Sequence, residues 1–366
     1  MINLRTPGVS GDVGTIDHGW LRRNLGWPVT GDEPITTRSI SPSGGVMGSV
    51  HRVGCGGRSF VLKGPPDDTT AWGRHAAAGR VVQREIELYR YLRARGPAAP
   101  KVAPDCYWSM AGADGGRALA LEDLGPCDTA AADMAAGLDL DQATAAVRCL
   151  AQVHADSATA EADALVTPYP WLYTAESDEL VKAVRVGLEE DLPRMVSQHW
   201  PGAAVRHIAD IDVAGVLLDV HRGARLTALC HGDAWSANVI LRERPEPGGG
   251  VAAYLIDWQY AMWGNPLSDV ALLLWSSVQP RHRRSWQDDL LRTYRATLTA
   301  TVGTDYSIED CQHDFARAEP QAVLVVLATL EAYATGMSAA ELSHLEPRVL
   351  AALDYVTRLP RVQRGF

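Results

Sequence analysis

The chain changes its apolar rhythm about a third of the way along. Ile35-Thr-Thr-Arg-Ser-Ile40, Val50-His-Arg-Val53 and Ser59-Phe-Val-Leu-Lys63 are short runs bounded by Gly, Pro and charged residues, a pattern that predicts strands. Between the first two lies Ser41-Pro-Ser-Gly-Gly-Val-Met-Gly-Ser49, a glycine-rich turn. The period then shifts: Val82, Ile86, Tyr89 and Arg93 fall on one face of a predicted helix. Glu85 borders that face, whereas Glu87 points about 160° away from Glu85 at roughly 100° per residue. Ala118-Leu-Ala-Leu-Glu-Asp-Leu124 is an apolar strand that turns polar just before Gly125-Pro126. Residues 34 to 124 therefore read as strands, glycine loop, strand, helix and two further strands. Residues 1 to about 33 show no clear periodicity and read as an arm over this part.

Beyond a connection rich in small residues, Gly125 to Leu138, the pattern is mainly helical. Leu140 to Ala158 is one helix, and Ser177-Asp-Glu-Leu180 starts another with apolar residues at Leu180, Val184, Leu188 and Leu192. Leu226 to Cys230 and Val239-Ile-Leu241 are apolar segments on either side of a polar loop. Pro245, Pro247 and Gly248-Gly-Gly250 break the pattern, and Val251 to Ile256 reads as a strand ending at Asp257. The last two segments would form a hairpin that brings Asn238 and Asp257 together. After Asp257 the helical stretches are 265–278, 282–300, 308–318, 320–336 and 338–358. The expected class is α+β, with an N-terminal antiparallel-sheet part at 1–124 and a mainly helical part at 125–366.

The polar loop is His231-Gly-Asp-Ala-Trp-Ser-Ala-Asn238, with Asp233 and Asn238 five residues apart. Phosphoryl transfer needs a carboxylate to orient and deprotonate a hydroxyl, and an Asn and an Asp to hold Mg²⁺ against nucleotide phosphates. Protein kinases use the same Asp-to-Asn interval in their catalytic loop. The bland alternative is a surface turn, but both acids border apolar runs where an unpaired charge would be costly. Lys63 ends a strand, and Glu85 follows 22 residues later on the next helix. Taken alone, such a lysine is an ordinary edge charge; paired with a helix glutamate, it is how kinases fix the lysine against the α- and β-phosphates. The turn holding Gly45 and Ser49 can donate backbone N–H groups to phosphates, or be an ordinary hairpin turn. No Gly-Lys-Ser/Thr follows it, so it is not a Walker loop.

Taken in order, Leu62-Lys63, EIELY at 85–89, LEDLG at 121–125, LAQVHA at 150–155, LCHGDAWSANVIL at 229–241, LIDWQ at 255–259 and NPLSDVALLL at 265–274 resemble the aminoglycoside phosphotransferase and choline kinase superfamily. The branch they resemble most is the ecdysteroid-kinase-like one. Fructosamine kinases have a similar loop but usually place proline after the metal aspartate, where Trp258-Gln259 stands here. The resemblance implies a bilobal protein-kinase-like fold, ATP and Mg²⁺ as cofactors, and transfer to a hydroxyl. It implies Asp233 as catalytic base, Asn238 and Asp257 as metal ligands, and Lys63 with Glu85 at the phosphates. Gly45, Ser49, Glu122 and Leu124 would line the nucleotide, the last two through backbone groups. His231 would brace the loop, and Asp269 would anchor its backbone. Trp235, Gln259 and Trp263 are the acceptor-side candidates, with Trp171, Tyr173, Trp258, Tyr260 and Tyr333 as further aromatic ones.

Composition narrows the partners. A net charge of −10 argues against nucleic acid or an anionic membrane as the main partner. Six cysteines lie scattered without a close pair, so neither a zinc site nor a disulfide framework is expected. The N-terminus lacks the apolar core of a signal peptide and no run is long enough to span a membrane, so a cytoplasmic enzyme, monomer or homodimer, is expected. No Ala-Pro-Glu motif or activation segment follows Asp257, which argues against a protein substrate. Eleven tryptophans suit aromatic walls for sugar rings or quaternary ammonium groups. The acceptor expected is an antibiotic or another sugar-containing natural product, in a resistance or self-resistance role. Choline, ethanolamine or a simple sugar is the alternative, and a non-catalytic nucleotide-binding pseudokinase is the rival from another class.

Overall fold

Alternation within strand β3 (Arg58–Lys63) organises the N-terminal part of the protein. Phe60 and Leu62 turn toward one apolar cluster, and Lys63 turns to the other face, as the two-residue period of a strand requires. The computed structural model describes residues 16–40, 49–64, 81–111, 117–125, 135–159, 167–174, 176–203, 205, 208–244, 249–302, 305–334 and 337–359. The chain divides into two compact units, Met1–Pro126 and Cys127–Phe366.

In the first unit, β1 (Thr36–Ser39), β2 (Val50–Cys55), β3, β4 (Cys106–Ala111) and β5 (Arg117–Glu122) form a sheet in the order β1-β2-β3-β5-β4. All neighbours are antiparallel, with Val50 opposite Lys63 and Lys63 opposite Leu119. Helix α1 (His18–Leu25) buries Trp20 and Leu21 against Val53, Phe60, Leu62 and Ala120. The periodicity of the sequence does not reveal this helix, because in eight residues its apolar face is only Trp20, Leu21 and the partly buried Leu25. Its ends are legible all the same: Asp17 accepts from the backbone N–H of Trp20 at 2.6 Å, and Gly26 closes the helix at φ 65°, the usual start and stop chemistry. Helix α2 (Val81–Ala94) buries Val82, Glu85, Ile86 and Tyr89 and lies against β4 and β5.

In the second unit, α3 (Leu140–Ala155) starts at an Asp139 capping box. A helical run follows as α4 (Asp178–Val186), a wide turn at Gly187–Asp191, and α5 (Leu192–His199). The wide turn is set by a close approach, since a Cβ on Gly187 would lie 2.0 Å from the Ala328 carbonyl oxygen. Helix α6 (Val213–His221) leads to β6 (Ala228–Cys230), which pairs with β9 (Met262–Gly264). Strands β7 (Val239–Glu243) and β8 (Val251–Leu255) form the expected hairpin, with Val239 opposite Leu255. Then come α7 (Leu267–Ser277), α8 (Pro280–Val302), α9 (Ile308–Ala328), α10 (Leu330–Ala334) and α11 (Ala339–Val356).

Helix α9 is continuous where the sequence reading broke it at residue 319. Pro320 removes one backbone donor inside the helix, but the following turn buries Ala322, Val323, Leu324 and Leu327, and that burial holds the helix together. The architecture is α+β, and among the described residues no helix is long and apolar enough to cross a membrane.

Candidate active site

In the first unit, Lys63 Nζ lies 2.8 Å from Glu85 Oε2. Lys63 is 6% exposed and Glu85 fully buried, a setting in which each charge needs the other. Glu87 faces outward, where it accepts from Gln83 and Arg90. Ser49 stands where β2 begins, and its carbonyl accepts from the Gly64 backbone N–H at 2.8 Å. A Cβ on Gly64 would meet the Ser49 hydroxyl at 2.6 Å, so a larger residue there would have to displace that side chain. Gly45 lies outside the described residues.

The end of β5 is tied down by charge. Arg52 donates to both carboxylate oxygens of Asp123, at 2.7 and 3.0 Å, and also to the Gly125 carbonyl at 3.0 Å. The Ser59 hydroxyl and the Gly125 backbone N–H donate to the same carboxylate. Burial works against the Asp123 charge, but Arg52 and Ser59 outweigh it and hold the carboxyl below its ordinary pKa. The Glu122 side chain turns back to Lys101 at 2.7 Å and the Asp105 backbone N–H at 3.0 Å, and Leu124 is buried. The side chains of Glu122 and Asp123 are thus occupied with structure, and the Glu122 backbone N–H is itself bound to the Asp105 carbonyl at 2.7 Å. Nothing in the sequence marks Arg52, because its partner lies 71 positions away.

In the second unit, the loop after β6 is held from beneath. Asp269, on the first turn of α7, accepts from the backbone N–H of His231 at 2.5 Å and of Gly232 at 2.9 Å. His154 Nε2 donates to Asp269 at 3.0 Å, and its Nδ1 meets the Tyr294 hydroxyl at 2.9 Å. Burial opposes the Asp269 charge, yet His154, His231 and the Gly232 amide pull its pKa below the ordinary value. His154, Cys230 and Asp269 are close enough together to suggest a metal group. The Cys230 Sγ faces the backbone carbonyls of Ala228, Gly264 and Asn265 and Asp269 already accepts from three donors, so the trio reads as a brace for the loop.

The His231 ring has a defined tautomer. Nε2 faces the Ile256 carbonyl at 2.9 Å and must donate, while Nδ1 accepts from the Asp233 backbone N–H at 3.2 Å. Full burial lowers its pKa, in keeping with a neutral ring. Trp258, among the acceptor-side aromatics, is instead fully buried against His231 at 4.4 Å between ring centroids and donates to Leu255 O. Gly232 sits at φ 80°, and a Cβ there would lie 1.9 Å from the Tyr260 carbonyl oxygen, so only glycine fits.

Asn238 donates its amide Nδ2 to the Asp233 carbonyl at 2.9 Å and to Asp233 Oδ2 at 3.0 Å. The Ile256 backbone N–H donates to Asn238 O at 3.0 Å, which sets Asp257 one residue beyond Asn238's partner across the hairpin. Asp257 has φ 63° and ψ 64°, and among the described residues it is the one non-glycine with positive φ. Such a conformation costs on the order of 1–3 kcal/mol and concentrates at functional sites. With Nδ2 committed to Asp233, Asn238 presents its carbonyl oxygen Oδ1. Together with the Asp257 carboxylate this is a hard oxygen donor set of the kind Mg²⁺ takes, so the residues fit that ion.

The acceptor-side candidates divide by burial. Trp263 and Gln259 are 3% and 1% exposed and offer almost no surface, whereas Trp235 is half-buried. Tyr173 stacks on Tyr260 with centroids 6.3 Å apart, and Tyr169 meets Trp171 at 5.6 Å. The Tyr333 side chain lies outside the described residues.

The model of the ecdysteroid kinase-like family matches residues 53–304. No curated protein matches the chain. Among solved structures, a candidate aminoglycoside phosphotransferase from Ralstonia eutropha JMP134 is 13% identical with a TM-score of 0.52, covering 94% of this chain and 98% of its own. That likeness supports a shared fold of the kinase-like kind. A spectinomycin phosphotransferase is 11% identical, covering 93% and 97% with a TM-score of 0.48. A microcompartment-associated aminopropanol kinase is 13% identical, covering 90% and 94% with a TM-score of 0.47.

Proposed function

The chain belongs to the ecdysteroid kinase-like family, and we propose that it is an ATP- and Mg²⁺-dependent phosphotransferase acting on a hydroxyl group of a small molecule. The observation that carries this reading is the unit formed by Asp233 and Asn238, with Asp257 strained into place at the end of the hairpin strand. In this reading Asp233 orients the acceptor hydroxyl and takes its proton. Asn238 Oδ1 and the Asp257 carboxylate hold the metal. Lys63, kept upright by Glu85, meets the α- and β-phosphates, while backbone groups near Glu122 to Leu124 pair with the base. When bound, Mg²⁺ neutralises charge on the phosphoryl oxygens. His231 and Asp269 touch neither substrate nor metal; they fix the loop.

The acceptor class we favour is an antibiotic or another sugar-containing natural product, because the second unit leaves the Tyr169–Trp171 pair only half-buried, with ring faces of the kind such molecules stack on. A resistance or self-resistance role in the cytoplasm would follow. A choline, ethanolamine or sugar kinase is the second reading, since the same aromatic faces suit a quaternary ammonium group. The test is incubation with ATP and Mg²⁺ over a panel of aminoglycosides, other hydroxylated antibiotics, sugars and amino alcohols, read by mass spectrometry for a gain of one phosphate. Asp257→Ala should abolish every positive signal. Transfer that persists in excess chelator would rule out the metal-dependent mechanism.

A further inference from the structure

Helix α7 touches the catalytic loop twice. Asp269, on its first turn, receives the N–H groups of His231 and Gly232. Eight residues later, or about 12 Å along the helix at 1.5 Å per residue, the hydroxyl of Ser277 receives the backbone N–H of Ser236 at 2.8 Å. Ser236 opens the short turn Ser236–Asn238 that presents Asn238. Ser277 is fully buried and Ser236 is 2% exposed, so water does not replace this acceptor.

The hydrogen-bond directions are fixed by counting protons. The Ser276 hydroxyl donates to the Leu272 carbonyl at 2.7 Å, so toward Ser277 Oγ, 2.9 Å away, it can only accept. Ser277 must then donate to Ser276, which leaves its oxygen to accept from Ser236 N–H. The chain Ser236 → Ser277 → Ser276 → Leu272 is satisfied in one direction only. The Ser277 backbone is held separately: its carbonyl accepts from Leu138 N–H at 2.7 Å, a Gly137 Cβ would meet that carbonyl oxygen at 2.6 Å, and buried Arg348 donates to the Ser276 carbonyl. The hydroxyl is therefore aimed by a frame that does not depend on it.

We propose that Ser277 is a positioning residue for the metal half of the site. Its hydroxyl sets the turn Ser236–Asn238, and through it the aim of Asn238 Oδ1; this rests on the kinase reading above. Without the hydroxyl, the buried Ser236 N–H loses its acceptor and the turn shifts to find another.

The test is Mn²⁺ binding by the full chain with a non-hydrolysable ATP analogue, read from free Mn²⁺ by electron paramagnetic resonance, so that no acceptor is needed. Ser277→Ala should weaken nucleotide-dependent Mn²⁺ binding by ~10-fold, equivalent to about 1.4 kcal/mol, and leave metal-free nucleotide binding near wild type. Ser276→Ala, at a half-buried position, takes away only the second link and should give a smaller shift of the same sign, ~3-fold. This second variant decides the matter if Ser277→Ala does not fold. A lowered Tm with wild-type Mn²⁺ affinity in the folded variant would overturn the proposal and leave Ser277 a purely structural residue. Asp257→Ala separates the two levels: it should abolish Mn²⁺ binding, and if it does not, the kinase reading fails and this inference with it.

Discussion

Asn238 holds Asp233 at two points, donating its amide to the aspartate's carbonyl at 2.9 Å and to Oδ2 at 3.0 Å. The candidate base and a candidate metal ligand are thus one hydrogen-bonded unit, and the rotamer of one sets that of the other. Asp233→Asn can keep the unit, because an amide oxygen still accepts from Asn238, but it cannot take a proton. We expect nucleotide affinity near wild type and transfer reduced roughly 10²–10⁴-fold, the usual contribution of a positioned base. The loose transition state of phosphoryl transfer pulls the loss toward the lower end. Single-turnover transfer to any acceptor found by the screen, set beside nucleotide titration, measures both quantities. Transfer at the wild-type rate would remove Asp233 from the reaction.

The Lys63–Glu85 pair separates stability from nucleotide use. Lys63→Ala removes the cation 2.8 Å from the fully buried Glu85 carboxylate, and breaking a buried pair in this way costs about 3–5 kcal/mol. The double variant Lys63→Met, Glu85→Leu removes both charges and should recover most of that stability. Neither variant should recover kcat/KM for ATP. Chemical denaturation and steady-state kinetics on the same samples read the two effects, and a double variant with normal ATP kinetics would take Lys63 out of the site.

Asp257 carries strain that its proposed role explains. Glycine adopts φ 63° without penalty, so Asp257→Gly should raise stability by up to about 1 kcal/mol. The same change deletes a metal oxygen and should abolish metal-dependent turnover. A higher Tm together with lost activity is the expected signature, checked by calorimetry and ATP turnover. A lower Tm would show that the carboxylate holds the fold rather than the ion.

Two buried histidines give the stability a defined acid limb. Burial pushes His221 down to about 4 and also lowers His231, whereas an unfolded histidine titrates near 6.5. Below that value the unfolded chain binds protons that the native ring refuses, so stability falls as pH falls. For His221 the loss is about 1.4 kcal/mol per pH unit between roughly 6.5 and 4. In His221→Gln, which has no proton to take up, the Tm against pH curve should flatten over that window even if the Tm itself is lower. An unchanged slope would assign the acid limb to other groups.

Gly232 is fixed by contact with a carbonyl oxygen. In Gly232→Ala a Cβ would lie 1.9 Å from Tyr260 O, so either the loop or the Tyr260 segment must move. We expect turnover to vanish and nucleotide-dependent Mn²⁺ binding to weaken, because Asp233 is the next residue. Activity close to wild type in this variant would mean that the loop tolerates a geometry quite unlike the one described.

The sequence by itself determined what local spacing and alternation can encode. The β7–β8 hairpin follows from two apolar runs around a Pro/Gly turn, and the choice of Glu85 over Glu87 follows from helical phase. The pairing of Asp233 with Asn238 is legible because the two lie five residues apart on one loop. Other features depend on groups far apart in the chain, whose meeting no local pattern announces. Asp269 reads locally as a first-turn acid of α7, yet its carboxylate serves a loop 37 and 38 positions earlier. Residue type alone leaves Trp258, Gln259 and Trp263 as either acceptor surface or core, and packing put them in the core. Helix α1 is too short for its few apolar contacts, Trp20, Leu21 and Leu25, to set a period, and α9 runs through Pro320 because burial of the next turn outweighs one missing hydrogen bond. The hydroxyl chain from Ser236 to Leu272 was equally invisible: serines carry no periodic signal, and the direction of their hydrogen bonds exists only once the fold has placed them.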